Sequence, residues 1–311
     1  MTSRSLAMIF PGQGSQHVGM LAELAAAHPV VGATFDAASE ALGYDLWQLV
    51  QNGPAEELAL THITQPVVLT GSVALWRLWR EQGGAVPALL AGHSLGEYSA
   101  LVAAGALAFR AAVALVEQRG KFMQSAVPLG TGSMVAIIGL EDEAVVAACA
   151  SASGDEVVAA VNFNSPGQVV ISGHVAAVNR AIEACKAAGA KRALPFPVSA
   201  PFHSPLMRPA AERFAEALAK VELRAPEIAV LHNVGIEPCT DPQLIRQKLV
   251  TQIYAPVPWV GTVNALAARG ITRVLELGPG KVLAGFNKRI QPDMAIASVN
   301  DAASLAAALD V

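Results

Sequence analysis

Gly92-His93-Ser94-Leu95-Gly96 follows the apolar run Ala88-Leu-Leu-Ala91 and precedes a helical pattern that continues to about Ala104. Between a strand and a helix, GxSxG allows a sharp turn that lifts the serine hydroxyl out of the sheet. The next N–H groups, at the helix N-terminus, can then face a developing oxyanion. Ser94 is the candidate nucleophile; the bland alternative is a capping serine in a glycine-rich chain. A serine needs a base, and His17, His28, His62, His93, His174, His203 and His232 compete for that place. Adjacency removes His93, because neighbours in so tight a turn project apart. His203 lies in Ser199-Ala-Pro-Phe-His-Ser-Pro205, a proline-fixed loop able to hold a side chain rigidly. Spacing alone does not select it, since such partners meet in space and not along the chain.

Arg119 is the third residue with chemistry to offer. Its i±3 and i±4 neighbours are Leu115, Val116, Phe122 and Met123, all apolar, so its guanidinium rides on a face that should be buried. Lys121, with Glu117, Gln118, Gln124 and Ser125 around it, shows the solvated contrast. A buried guanidinium needs an anion, and its planar fork matches a carboxylate with two hydrogen bonds. An ion pair with a remote Asp or Glu would satisfy it too. Arg110 has a similarly apolar neighbourhood and reads as structural at a helix start. Gly12-Gln13-Gly14 is no dinucleotide fingerprint, because the third glycine would fall at His17. Such a turn can supply an oxyanion donor from the Gln13 amide. HExxH, a phosphate-binding lysine loop and Cys/His metal spacings are missing from the sequence, so no metal is expected.

These residues need elements to hold them. Leu6–Phe10 reads as a short buried strand stopped by Pro11-Gly12. Helical patterns cover about Gly19–Ala27, Val30–Leu42 and Ile63–Gln82, the last with Pro66 expected in its first turn, and another runs from about Phe109 to Ser125. After Pro128 the period shortens. Met134–Gly139, Val157–Asn162, Gln168–Gly173 and Ala190–Val198 read as strands, with helices at Asp142–Ala150 and Ala176–Ala188. That β-α-β-β-α-β order is the ferredoxin-like arrangement. Longer elements then resume: helices at about Met207–Val221, Pro242–Gln252 and Val260–Ala268, strands at Ile228–Asn233 and Arg273–Glu276, and a Gly-Pro-Gly turn.

Composition sets the outer limits. At 311 residues the chain is just past the size of a single core, so it should be two domains or one domain carrying an insert. With 53% hydrophobic and 5% aromatic residues, it suits helices packed on a sheet. A net charge of −4 offers no basic field for nucleic acid. Cys149, Cys185 and Cys239 form no CxxC pair and read as scattered buried thiols of a reducing compartment. The first residues lack a signal-peptide core, and the longest uncharged apolar stretch, near Leu101–Phe109, is too short to span a bilayer. A cytoplasmic protein without a membrane partner is expected.

Five ordered motifs carry a resemblance. Phe10-Pro-Gly-Gln-Gly-Ser-Gln16, Gly92-His-Ser-Leu-Gly-Glu-Tyr98, Gln118-Arg-Gly-Lys-Phe-Met123, Asn162-x-Asn164-Ser-Pro-Gly-Gln168 and Pro201-Phe-His-Ser204 make the chain similar to the malonyl-CoA:acyl-carrier-protein transacylases, from Leu6 to about Ile290. The resemblance implies an α/β fold: a large α/β-hydrolase-like domain (1–127 and 199–311) with a small ferredoxin-like domain (128–198) inserted. It implies Ser94 as nucleophile, His203 as its base, oriented by backbone carbonyls with no Asp, and Arg119 as the holder of the malonyl carboxylate. It further implies an oxyanion hole from the N–H groups of Gln13 and Leu95, with Gln252 beside His203 and Phe202, Met123 and Asn164 in the substrate site. Phe202 would crowd the branch of a methylmalonyl group.

The implied reaction is ping-pong malonyl transfer from malonyl-CoA to holo acyl carrier protein, serving fatty-acid or polyketide synthesis. No permanently bound cofactor and a monomer are expected. Lys186, Lys191 and Arg192, or Lys281, Lys288 and Arg289, could meet an acidic carrier. The transacylase subunit of a malonate decarboxylase or a discrete polyketide acyltransferase would keep the same residues, and a serine thioesterase would release the acyl group to water. The motif Tyr254-Ala-Pro-Val-Pro-Trp259 departs from the family by its second proline.

Overall fold

The computed structural model describes residues 2–198 and 200–310; Ser199, where the large domain is expected to resume, lies outside them. Among the described residues nine strands follow in chain order: β1 (Thr2–Phe10), β2 (Val86–Gly92), β3 (Gly132–Ile138), β4 (Val158–Ser165), β5 (Gln168–His174), β6 (Arg192–Pro195), β7 (Ala229–Leu231), β8 (Arg273–Leu277) and β9 (Ala295–Val299). They form two separate sheets. The first, in the order β7-β2-β1-β8-β9, is parallel throughout. Parallel strands covered on both faces read as unbroken apolar runs, and β1 shows why. Leu6, Met8 and Phe10 enter one core with the Thr61–Glu81 and Phe109–Gln124 helices, while Ala7 and Ile9 enter another with Trp259, Val263 and Leu266.

The Thr61–Glu81 helix begins two residues earlier than expected, so Pro66 sits inside it and not in its first turn. Nearby, a Cβ on Gly120 would fall 2.6 Å from His62 Cα. Only glycine lets the Phe109–Gln124 helix cross so closely there, and this crossing carries Arg119 beside Gln65.

The second sheet, β4-β5-β3-β6, is antiparallel and is built wholly between residues 132 and 195. The Asp142–Ser153 and Val175–Ala187 helices cover one face over a core of its own, which includes Cys149 and Cys185. From the opposite face Met134, Ala136, Val161 and Val170 join the main core. β4 is also tied to the loop after Gln252: Phe163 N–H donates to the Val257 carbonyl at 3.0 Å, and Val257 N–H to the Val161 carbonyl at 2.7 Å. Pro256 and Pro258 flank Val257, so the departing Tyr254–Trp259 motif leaves the one amide that this tie needs.

Several boundaries differ from the sequence reading. The last strand of the second sheet covers only Arg192–Pro195: its register with β3 ends at the Val135–Pro195 pair, although Phe196 N–H still donates to the Met134 carbonyl at 3.0 Å. The helix expected from Met207 is a 3₁₀ turn at Pro205–Met207 followed by an α-helix at Arg208–Leu218, with prolines opening both pieces. β9 gives little signal because it is an edge strand with only Val299 fully buried. Among the described residues, no helix is long and apolar enough to cross a membrane.

Candidate active site

Ser94 stands on the turn leaving β2, in a left-handed conformation with φ 51°. Such a φ is costly for a non-glycine residue and persists only where the surroundings over-determine it. The two flanking glycines do so by close approach. A Cβ on Gly92 would meet the Gly96 carbonyl carbon at 1.9 Å, and one on Gly96 would meet the Phe10 carbonyl oxygen at 2.0 Å. Asn233, just past β7, holds both limbs of the turn: its Oδ1 accepts from Ser94 N–H at 2.8 Å and its Nδ2 donates to the Gly92 carbonyl at 2.7 Å.

The Ser94 hydroxyl lies 2.8 Å from His203 Nε2, and His203 Nδ1 lies 2.9 Å from the Gln252 carbonyl. A carbonyl only accepts, so Nδ1 carries the proton and Nε2 offers its lone pair to the serine. His203 also has a positive φ, 61°, in its proline-flanked loop. Burial above all, then the Arg119 guanidinium and, more weakly, His93 bring the imidazole down to about 3, against the opposing effect of its hydrogen bonds to the Gln252 and Ala255 backbone. The imidazole is therefore neutral near pH 7 and free to take a proton.

Arg119 is 1% exposed, and its partners are not carboxylates. Nη1 donates to Gln65 Oε1 at 2.9 Å; Nη2 donates to Gln252 Oε1 at 3.0 Å and to Ser94 Oγ at 3.2 Å. Tyr98 lies beneath it, 5.3 Å from guanidinium carbon to ring centre. Its Nε has no partner among the described residues. Burial lowers its pKa, as expected of a cation lacking a direct counter-ion. The alternative of an ion pair with a remote acid is thus not what the fold builds. Arg110, by contrast, is an exposed partner of Glu40 at 2.5 Å.

The remaining expected residues distribute around these three. Gln13, Phe202, His93 and Ser94 line one cavity of about 120 Å³ with His203. The backbone amides of Gln13 and Leu95 make no hydrogen bond among the described residues. Asn164, on β4, bonds His93 at 2.8 Å and faces an adjoining cleft with Gln13 and Phe286. Met123 stays behind the site, its sulfur 4.0 Å from Gln65 Nε2. Of the basic residues considered for a carrier, Lys186 pairs with Glu183, and Arg289 bonds Ser165 and Gln168 and so ties the Val282–Ile290 helix to the second sheet. Glu97, His232, Asn233 and Gln65 all support the site; Asn233 and Gln65 escape the sequence reading, while His232 enters it only as one of seven candidate bases and Glu97 only within the Gly92–Tyr98 motif. Among the described residues, no group of three or more His, Cys, Asp and Glu is placed to hold a metal ion.

A strained serine bonded to a neutral imidazole can attack a carbonyl, and a buried guanidinium 3.2 Å from that serine can receive an anion attached to the acyl group. Comparison with known proteins agrees with this chemistry. Residues 7–300 match the family model described as an acyl transferase domain. The chain is 59% identical to the malonyl CoA-acyl carrier protein transacylase of Salmonella typhimurium over 97% of this chain and 98% of that one. It is 45% identical to the Bacillus subtilis protein of the same name, over 95% and 93% of the two chains. Among solved structures, the malonyl-CoA:acyl carrier protein transacylase of Xanthomonas oryzae superposes with a TM-score of 0.98 at 52% identity, covering 100% of this chain and 99% of that one. A type II PKS acyl-carrier protein in complex with its malonyl-transacylase gives 0.97 at 55% identity, covering 98% and 99%.

Proposed function

The chain belongs to the acyl transferase family, and from that premise we propose that it carries a malonyl group from malonyl-CoA to the phosphopantetheine thiol of an acyl carrier protein. The observation that supports this most is the meeting of Ser94, His203 and the Arg119 guanidinium at one point. Ser94 Oγ attacks the thioester carbonyl while its proton passes to His203 Nε2. The C–S bond breaks, and His203 returns the proton to the departing CoA sulfur. A malonyl-serine ester remains. The carrier's thiol then gives its proton to His203 and attacks the ester carbonyl; Ser94 leaves and recovers the proton. The free amides of Gln13 and Leu95 receive the oxyanion in both halves.

Arg119 selects the acyl group. The malonyl carboxylate is borne on the carbon next to the reacting carbonyl, and Arg119 Nη2, 3.2 Å from Ser94 Oγ, is close enough for that carboxylate to replace the serine oxygen as its partner. An acetyl group leaves that buried cation unmatched, a cost of about 1–3 kcal/mol. The bound carboxylate also offsets the positive charge that helps depress His203, so the correct substrate strengthens its own base. Phe202 narrows the room available to a branched acyl group, and Gln252 fixes the imidazole through its backbone carbonyl.

The reaction uses only side chains and amides of the protein, with malonyl-CoA as substrate and no resident cofactor. The parallel-sheet body is read as α/β-hydrolase-like, formed from 1–127 and 199–311. The order β4-β5-β3-β6 with two helices on one face supports reading 128–198 as a ferredoxin-like insert. Its β4 supplies Asn164 to the cleft wall. Three buried, unpaired cysteines suit a reducing cytoplasm.

The test is steady-state kinetics with malonyl-CoA and holo carrier protein varied together. Parallel double-reciprocal lines and little free malonate are expected. Rapid malonate release that ignores the carrier would instead establish a hydrolase.

A further inference from the structure

Glu97 lies in the first turn of the helix that follows Ser94 and is fully buried. Three donors converge on its carboxylate. Oε1 meets His232 Nδ1 at 2.8 Å, and Oε2 accepts from Asn233 N–H at 3.1 Å and from Gln252 Nε2 at 2.7 Å. The other hydrogen of Gln252 Nε2 goes to the Ser94 carbonyl at 2.9 Å. Both groups facing that nitrogen are acceptors only, so the amide has a single satisfied orientation. Its oxygen must then point the other way, at Arg119 Nη2, 3.0 Å distant.

We propose that Glu97 is a positioning residue for acyl-group selection: by fixing which way the Gln252 amide faces, it aims the Arg119 guanidinium at the place of the substrate carboxylate. The role rests on the malonyl-transfer reading above. Glu97 touches neither substrate nor Ser94 Oγ. It acts at one remove, and Arg119 depends on that aim because, with Nε unpartnered, its hydrogen bonds among the described residues run through its two terminal nitrogens alone.

A neutral amide at position 97 removes the constraint. Glu97→Gln presents one acceptor and one donor to three donors. Whenever its NH2 group faces Gln252, that amide turns over and offers N–H to a guanidinium that can only donate. The hydrogen bond to Arg119 is lost in that state, and the cation swings free of its place. Carboxylate-bearing substrates should suffer, while carboxylate-free ones should not.

The measurement is the ratio of kcat/KM for malonyl-CoA to kcat/KM for acetyl-CoA, with holo carrier protein as acceptor, in wild type, E97Q and His232→Gln. A ratio of rates on one preparation is independent of the folded fraction. E97Q is expected to lower the ratio about tenfold, the effect of losing one charge-assisted hydrogen bond, mainly through KM for malonyl-CoA. H232Q disturbs the same buried cluster but leaves Oε2 on Gln252, so its ratio should stay within about twofold of wild type. Should E97Q fail to fold, Glu97→Asp, one methylene shorter and drawn back from Gln252, should lower the ratio likewise. Equal slowing of both acyl donors would overturn the proposal, as would an equal fall in the ratio for H232Q. A wild-type protein that moves neither acyl group would overturn the transfer reaction itself and the role of Glu97 with it.

Discussion

At the scale of single residues, the site is a serine and a histidine whose readiness depends on charge. His203 is held near 3 by burial first and by Arg119 second. Replacing Arg119 with Met removes the positive charge and keeps the bulk, so the imidazole should titrate higher. The acid limb of kcat/KM for acetyl-CoA should then move to higher pH than in wild type; an unmoved limb would remove Arg119 from the control of the base. The same depression makes the fold sensitive to acid. Between the folded value and the ordinary 6.5 the unfolded chain binds the extra proton, so stability falls as pH drops below about 6.5 and is level above it. His203→Ala should therefore lose about 2 kcal/mol less than wild type between pH 7 and pH 5, read from denaturant midpoints. Ser94 and Arg119 are legible as candidates because each sits in a telling local context, a glycine-flanked turn and an apolar helix face; His203 stands out from the other histidines only through the family resemblance. Asn233 contacts Ser94 from 139 residues away, and no local pattern announces a contact at that range; Gln252, 158 residues away, enters the sequence reading only through the resemblance.

At the scale of elements, the turn after β2 exists because two glycines let three backbones meet. Gly92→Ala and Gly96→Ala each place a methyl group at about 2 Å from main-chain atoms that cannot yield. Each should destabilise the protein by more than about 3 kcal/mol and abolish acylation of Ser94. Gly285, inside the Val282–Ile290 helix, has nothing within 4 Å of where a Cβ would stand. Gly285→Ala should be neutral or stabilising by up to about 1 kcal/mol, with activity retained. Thermal midpoints of the three variants separate a glycine demanded by close approach from one that is merely tolerated. The Pro242–Gln252 helix is legible to the residue because its start carries a capping Asp241 and Pro242 in its first turn. Elements lacking burial contrast, β9 above all, are not.

At the scale of the whole molecule, the inserted sheet is joined to the body through its own inner face. Met134, Ala136, Val161 and Val170 lie in the main core, β4 bonds the Val257 loop, and Arg289 bridges to Ser165 and Gln168. Calorimetry should give one cooperative unfolding transition, and two resolved transitions would mean that the insert is an independent unit. The strands and helices of the second, antiparallel sheet are legible from the change of period after Pro128; the core that this sheet shares with the body is not, because both of its faces are apolar. The joined parts bring Ser94, His203 and Arg119 together, and their convergence on one acyl group is the central claim. It is tested most directly by mixing the protein with malonyl-CoA alone, mapping the adduct by peptide mass, and then adding holo carrier protein. A malonyl ester on Ser94 that leaves as malonyl-carrier is predicted; an adduct elsewhere, or loss of the ester to water at the same rate without carrier, would contradict the account.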